Sequence, residues 1–176
     1  MVQSMRDFGK YSALKKKILM TMAYTMDKKE MKDLRETFMS IDGNSEGTIT
    51  LSELRDALRG QRTEQEVNAA GFTDEAVLAI FEGVDYDGSG QIHYKEFLAA
   101  AAESRGLVTH ERLLEAFDRM DGDNSGVISR ENLEEMMGTD YDEALAKDMV
   151  GETGGIDYER FLGTVFDKEV EEPLSP

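Results

Sequence analysis

The chain has no cysteine and no tryptophan, and its two prolines both fall within the last four residues. Without thiols there is no disulfide framework, no thiolate metal site and no cysteine nucleophile. Without internal proline, almost the whole chain is free to be helical. Long apolar runs are also missing. Nothing at the N-terminus reads as a signal sequence and no stretch approaches bilayer length, so a soluble, cytoplasmic protein is expected. Basic residues are scarce, 20 Lys and Arg against 37 Asp and Glu, for a net charge of −17. Such a field disfavours nucleic acid and favours cations or basic peptides.

The 176 residues are enough for one or two domains with real cores, and the 40% hydrophobic content argues against wholesale disorder. Eleven methionines suit surfaces that must adapt, or else fill cores. The charge is unevenly placed: residues 1–32 carry eight Lys or Arg against three acids, and the remainder twelve against thirty-four.

Four segments repeat a glycine followed two residues later by isoleucine: Gly47–Ile49, Gly90–Ile92, Gly126–Ile128 and Gly154–Ile156. Apolar residues recur at helical spacing on both sides of each, as in Met31, Leu34 and Phe38 before the first and Leu54, Ala57 and Leu58 after it. Twelve-residue loops therefore begin at Asp42, Asp85, Asp121 and Met149. Calcium takes six to eight hard oxygens, and D-x-[DN]-x-[DN]-G-x5-E supplies them. Alternate early carboxylates point inward, glycine at position six permits the sharp turn, and the final glutamate reaches back with both oxygens.

The second loop, DYDGSGQIHYKE, fits best, with Asp85, Asp87, Ser89, the Gln91 carbonyl and Glu96 as ligands. His93 stands where water usually serves and reads as a solvent-facing loop residue. In the first loop, DGNSEGTITLSE, the ligands are Asp42, Asn44, Glu46, the Thr48 carbonyl and Glu53. Glu46 is one methylene longer than the motif's Asp or Asn. The third loop, DGDNSGVISREN, offers Asp121, Asp123, Ser125 and the Val127 carbonyl, but ends in Asn132, a weaker ligand with one neutral oxygen. The fourth, MVGETGGIDYER, keeps glycine and isoleucine but has lost its ligands, and Arg160 replaces the final glutamate. It should be empty of metal, with Arg160 pairing to Glu152 or Asp157. Two to three calcium ions are expected, with magnesium an option in the third loop.

Asp27 with Glu30 and Asp140 with Glu143 have capping-box spacing, Thr73 and Thr109 are N-caps, and Gly60, Gly106 and Gly138 are helix stops. Residues 61–72 read equally as a helix extension or a connector. Ile49 should pair with Ile92, and Ile128 with Ile156. The fold class is all-α: two lobes of paired loops with short antiparallel β bridges, preceded by a basic amphipathic helix. The divisions are 1–26 (basic helix), 27–104 (first lobe), 105–168 (second lobe) and 169–176 (tail).

Over residues 10–26, KYSALKKKILMTMAYTM, the side chains of Tyr11, Leu14, Ile18, Met22 and Met26 share one face, with Lys15, Lys16 and Lys17 beside it. Such a helix reads as a calmodulin-target-like segment or as a simple first helix packed on the core, with a membrane role least favoured. The stretches YSALKKKILMTMAYTMDKKEMKDLRETF and IHYKEFLAAAAESRGLVTHERLLEAFDRMD resemble the calcium-regulatory part of the calcium-dependent protein kinases of plants and apicomplexan parasites. The resemblance implies an EF-hand, calmodulin-like fold and calcium control of a Ser/Thr kinase domain in cis. It also implies the same ligand positions in the first three loops, with departures at Asn132 and across Met149–Arg160. No G-x-G-x-x-G, HRD-like or DFG motif occurs, so no phosphotransferase activity is expected of this chain. The partners expected are the kinase domain, the chain's own basic N-terminal helix and basic amphipathic peptides. A free-standing calcium sensor or buffer is the alternative.

Overall fold

The computed structural model describes residues 1–138, 141–151 and 154–166. It divides into two units, one of Met1–Tyr11 with Met26–Leu107, the other of Ser12–Thr25 with the chain from Val108 onward.

In the first unit, α1 (Val2–Lys10) is followed by α3 (Lys28–Ile41), β1 (Thr48–Ile49), α4 (Leu51–Arg59), α5 (Glu64–Ala69), α6 (Asp74–Val84), β2 (Ile92–His93) and α7 (Tyr94–Ala102); α2, between α1 and α3, belongs to the second unit. The Asp27 carboxylate accepts the Lys29 and Glu30 N–H groups while Glu30 accepts the Asp27 N–H, so α3 starts on the expected capping box. Residues 61–72 form neither an extension nor a bare connector. They contain α5, a short helix that starts on its own Thr63–Glu66 box. Strands β1 and β2 run antiparallel with Ile49 opposite Ile92, both fully buried. Phe38 meets Tyr94 and Phe97 edge-on, with ring centroids 5.1 and 5.4 Å apart. Helix α1 lies on α6 and α7 and buries Met5 and Phe8. Gly9 and Gly83 make the crossing possible, since a Cβ on Gly83 would stand 2.6 Å from the Gly9 Cα.

The second unit holds α2 (Ala13–Ala23), α8 (His110–Met120), β3 (Val127–Ser129), α9 (Arg130–Met137), α10 (Glu143–Val150), β4 (Gly155–Asp157) and α11 (Tyr158–Val165). Strands β3 and β4 pair antiparallel with Ile128 opposite Ile156. Asp140 lies outside the described residues; α10 is capped by Asp142, whose carboxylate accepts the Leu145 N–H at 2.7 Å. Phe117 packs edge-on against Tyr158 and Phe161.

Residues 10–26 do not form one helix. Tyr11 is extended, and the Ser12 hydroxyl accepts the Lys15 N–H and starts α2. The Tyr11 hydroxyl bonds Glu103 in the first unit, whereas α2 packs on α8, α10 and α11 in the second. Residues 1–26 are thus shared between the units. Of the three lysines beside the apolar face, Lys15 is only 3% exposed, and burial lowers the pKa of Lys16. The tail, 169–176, lies outside the described residues.

Candidate metal centre

Each loop opens at the C-terminal end of a helix and closes in the first turn of the next. In the second loop the Asp85 carboxylate accepts the Ser89 N–H at 3.0 Å and the Gly90 N–H at 2.9 Å. Asp87 accepts the Ser89 N–H at 3.1 Å. Glu96 is fully buried: Oε1 accepts the Tyr86 N–H at 2.7 Å and the Asp87 N–H at 3.3 Å, and Oε2 accepts the His93 N–H at 2.7 Å. Ligand oxygens of Asp85, Asp87 and Glu96 all lie within 4.8 Å of one another. Three clustered carboxylates, one of them buried, form a hard-oxygen donor set that suits calcium. Burial lifts the Glu96 pKa, with the His93, Tyr86 and Asp87 N–H groups pulling it down and the Asp87 charge pushing it up. His93 serves as the residue on which α7 begins.

The first loop repeats the plan. The Asp42 carboxylate, 6% exposed, accepts the Glu46 and Gly47 N–H groups at 3.1 and 2.9 Å. Asn44 Oδ1 accepts the Glu46 N–H at 3.0 Å. Glu53 accepts the Asn44 N–H at 3.2 Å with Oε1 and the Thr50 N–H at 2.9 Å with Oε2. The Thr50 N–H is the main reason that the Glu53 pKa is lowered.

In the third loop Asp121 accepts the Ser125 and Gly126 N–H groups at 3.1 and 2.7 Å, and Asp123 the Ser125 N–H at 3.3 Å. The Ser125 hydroxyl donates to the Val127 carbonyl at 3.0 Å. Asn132 behaves differently from a glutamate. Its single oxygen accepts the Ser129 N–H at 2.9 Å, which leaves the amide NH2 as the other arm of the side chain. A donor therefore faces the cage where loops one and two present a second acceptor.

In the fourth loop the Arg160 guanidinium donates to the carbonyls of Val150 at 2.5 Å, Gly155 at 3.2 Å and Met149 at 3.3 Å. The Asp157 carboxylate accepts the Arg160 backbone N–H at 2.8 Å. The Asp157 bond is thus a helix cap on the backbone and not the expected charge pairing, and the guanidinium turns to carbonyls that the sequence did not suggest; Glu152 lies outside the described residues.

One shared device went unread in the sequence. The last loop residue also caps the following helix by accepting the N–H three residues back, at Thr50, His93 and Ser129. The Thr50–Glu53 pair carried that signal as T-x-x-E.

Residues 31–102 match the EF-hand domain pair family, and residues 114–137 match the EF hand family. Calcium-dependent protein kinase 34 of Arabidopsis thaliana is 33% identical over 165 residues, 90% of this chain. Calcium-dependent protein kinase 21 of the same plant is 34% identical over 167 residues, 89% of the chain. Calcium-dependent protein kinase 19 of Oryza sativa subsp. japonica is 31% identical over 180 residues, 97% of the chain. The chain spans only about 30% of the length of these relatives. With paired helix–loop–helix units and relatives of one kind along nearly its whole length, the chain belongs to the EF-hand proteins, as a calmodulin-like domain of the calcium-dependent protein kinase type.

Proposed function

We propose that this chain binds calcium at Asp42–Glu53 and Asp85–Glu96, and more weakly at Asp121–Asn132, and that binding changes its conformation to control a Ser/Thr kinase domain attached to it. The observation that carries the reading is the convergence of Asp85, Asp87 and Glu96 within 4.8 Å. Their mutual repulsion without metal, and its relief by a divalent cation, supply the differential binding energy that a switch requires.

The ligand set is Asp42, Asn44, Glu46, the Thr48 carbonyl and Glu53; Asp85, Asp87, Ser89, the Gln91 carbonyl and Glu96; and Asp121, Asp123, Ser125, the Val127 carbonyl and Asn132. Two to three ions bind. The third loop takes magnesium as readily as calcium, because magnesium keeps its waters and needs few carboxylates. The fourth loop takes none.

Residues 1–25 are the cis partners of the switch. Helix α1 covers apolar surface of the first unit and α2 that of the second, so a change in helix angle on calcium binding alters how each is held. Basic amphipathic peptides compete for the same surfaces. No helix among the described residues is long and apolar enough to cross a membrane, and a cytoplasmic setting agrees with that and with the lack of cysteine.

Calorimetric titration tests the ion count, with two or three expected per chain. Joined to its kinase domain, the protein should lose calcium activation when Glu53→Gln and Glu96→Gln are combined. Four bound ions would refute the reading of the fourth loop. Unaltered calcium activation in the double variant would refute the regulatory role.

A further inference from the structure

Two residues of the fourth loop depart from the calcium motif in ways that fit each other. Counted from Met149, Gly151 is the third residue, where the motif has Asp or Asn, and Arg160 is the twelfth, where it has glutamate. Gly151 has φ +66°, and a Cβ there would stand 3.0 Å from Arg160 Nη2. The glycine thus admits both the backbone turn and the guanidinium.

The guanidinium inverts the polarity of the other loops. Glu53 and Glu96 reach back to accept loop N–H groups, whereas Arg160 reaches back to donate to the carbonyls of residues one, two and seven. The seventh carbonyl, here that of Gly155, is one that the motif assigns to calcium. A planar cation with five fixed donors suits a ring of carbonyls better than a point charge would. The loop also keeps the turn of the other three. Gly154 has φ +74°, beside +85°, +80° and +83° at Gly47, Gly90 and Gly126, and β4 completes a three-pair ladder with β3.

We propose that Arg160 is the specificity-determining residue of the fourth loop: its guanidinium takes the place of the divalent ion, excludes metal, and holds β4 ready for the third loop in the absence of calcium. This rests on the reading above that the loop takes no calcium. It deepens that reading, since the loop has exchanged a removable cation for a covalent one.

Amide exchange across Gly155–Asp157 in the metal-free full chain tests it, together with calorimetric ion counts. Arg160→Gln should speed exchange there by about tenfold or more, the loss expected for hydrogen bonds from a charged donor, and leave binding at the first two loops unchanged. Arg160→Lys keeps the charge but not the fork, and should give a smaller acceleration with no added ion. The triple variant M149D/G151D/R160E should bind one further calcium and regain protection only with calcium present. Exchange at the parental rate in both Arg160→Gln and Arg160→Lys overturns the role of Arg160. If Arg160→Gln unfolds its unit, the lysine variant alone decides. A fourth ion in the unaltered chain overturns instead the reading that the loop takes no metal.

Discussion

At the scale of the residue, the last position of each of the first three loops does two things, and the chemistry of its side chain decides whether both succeed. Glu96 has two oxygens, one for the His93 N–H that starts α7 and one turned to the loop. Asn132 has one, and spends it on Ser129. Asn132→Glu should therefore raise calcium affinity in the third loop by roughly one to two orders of magnitude, within the range over which ligand charge tunes such loops. Calorimetry should show this as a weak phase becoming a strong one. Glu96 also makes the second loop sensitive to acid. Burial raises its pKa above the ordinary 4.5 in the metal-free protein. The folded state thus holds this proton to higher pH than the unfolded chain, so the associated stability is complete below about pH 4.5 and is lost as pH rises through the folded value. Calcium takes only the carboxylate, so its apparent affinity should fall as pH is lowered through that folded value. An NMR titration of the Glu96 carboxyl carbon should show a raised midpoint without calcium and none in that range with it.

At the scale of the element, the surprise is the break at Tyr11–Ser12. Periodicity alone runs on through residues 10–26, because Tyr11, Leu14, Ile18 and Met22 do share a helical face. The chain breaks there since Tyr11 is held by Glu103 and the Ser12 hydroxyl offers α2 a cap. Docking of α1 then depends on two glycines. In an isolated helix Gly83→Ala would favour α6 by about 1 kcal/mol. Here the new methyl would meet the Gly9 backbone, which cannot rotate away as a side chain would. Net loss of α1 docking is the expected result, read as faster amide exchange over Met5–Phe8 with α6 still helical. Slower exchange there would mean that the crossing accommodates the methyl.

At the scale of the whole molecule, residues 1–25 lend one helix to each unit, and each helix brings apolar side chains with no exposure or almost none: Met5 and Phe8 from α1, Ile18, Leu19 and Met22 from α2. Removing a buried phenylalanine costs about 3–5 kcal/mol, a large part of the stability of a small domain. A chain lacking residues 1–25 should therefore bind an apolar dye through both units and lose cooperative unfolding in both. Disturbance confined to the C-terminal unit would show that α1 is dispensable to the first. The net charge of −17 adds to the strain of a compact fold, and each calcium ion removes two of those charges.

The sequence by itself determined the helix–loop–helix repeats and the isoleucine pairing of their strands. These rest on local chemistry: a glycine in the sixth place, carboxylates at alternate positions, apolar residues at helical spacing. The capping box at Asp27 and the N-caps at Thr73 and Thr109 were legible for the same reason. Only the tertiary structure decided where residues 1–26 divide, that Lys15 is buried, and where the Arg160 guanidinium points. Each of those depends on partners distant in the chain or on space left by a glycine, and neither leaves a period in the sequence. Calcium ligation is local enough to be written in twelve residues. How residues 1–26 pack is not.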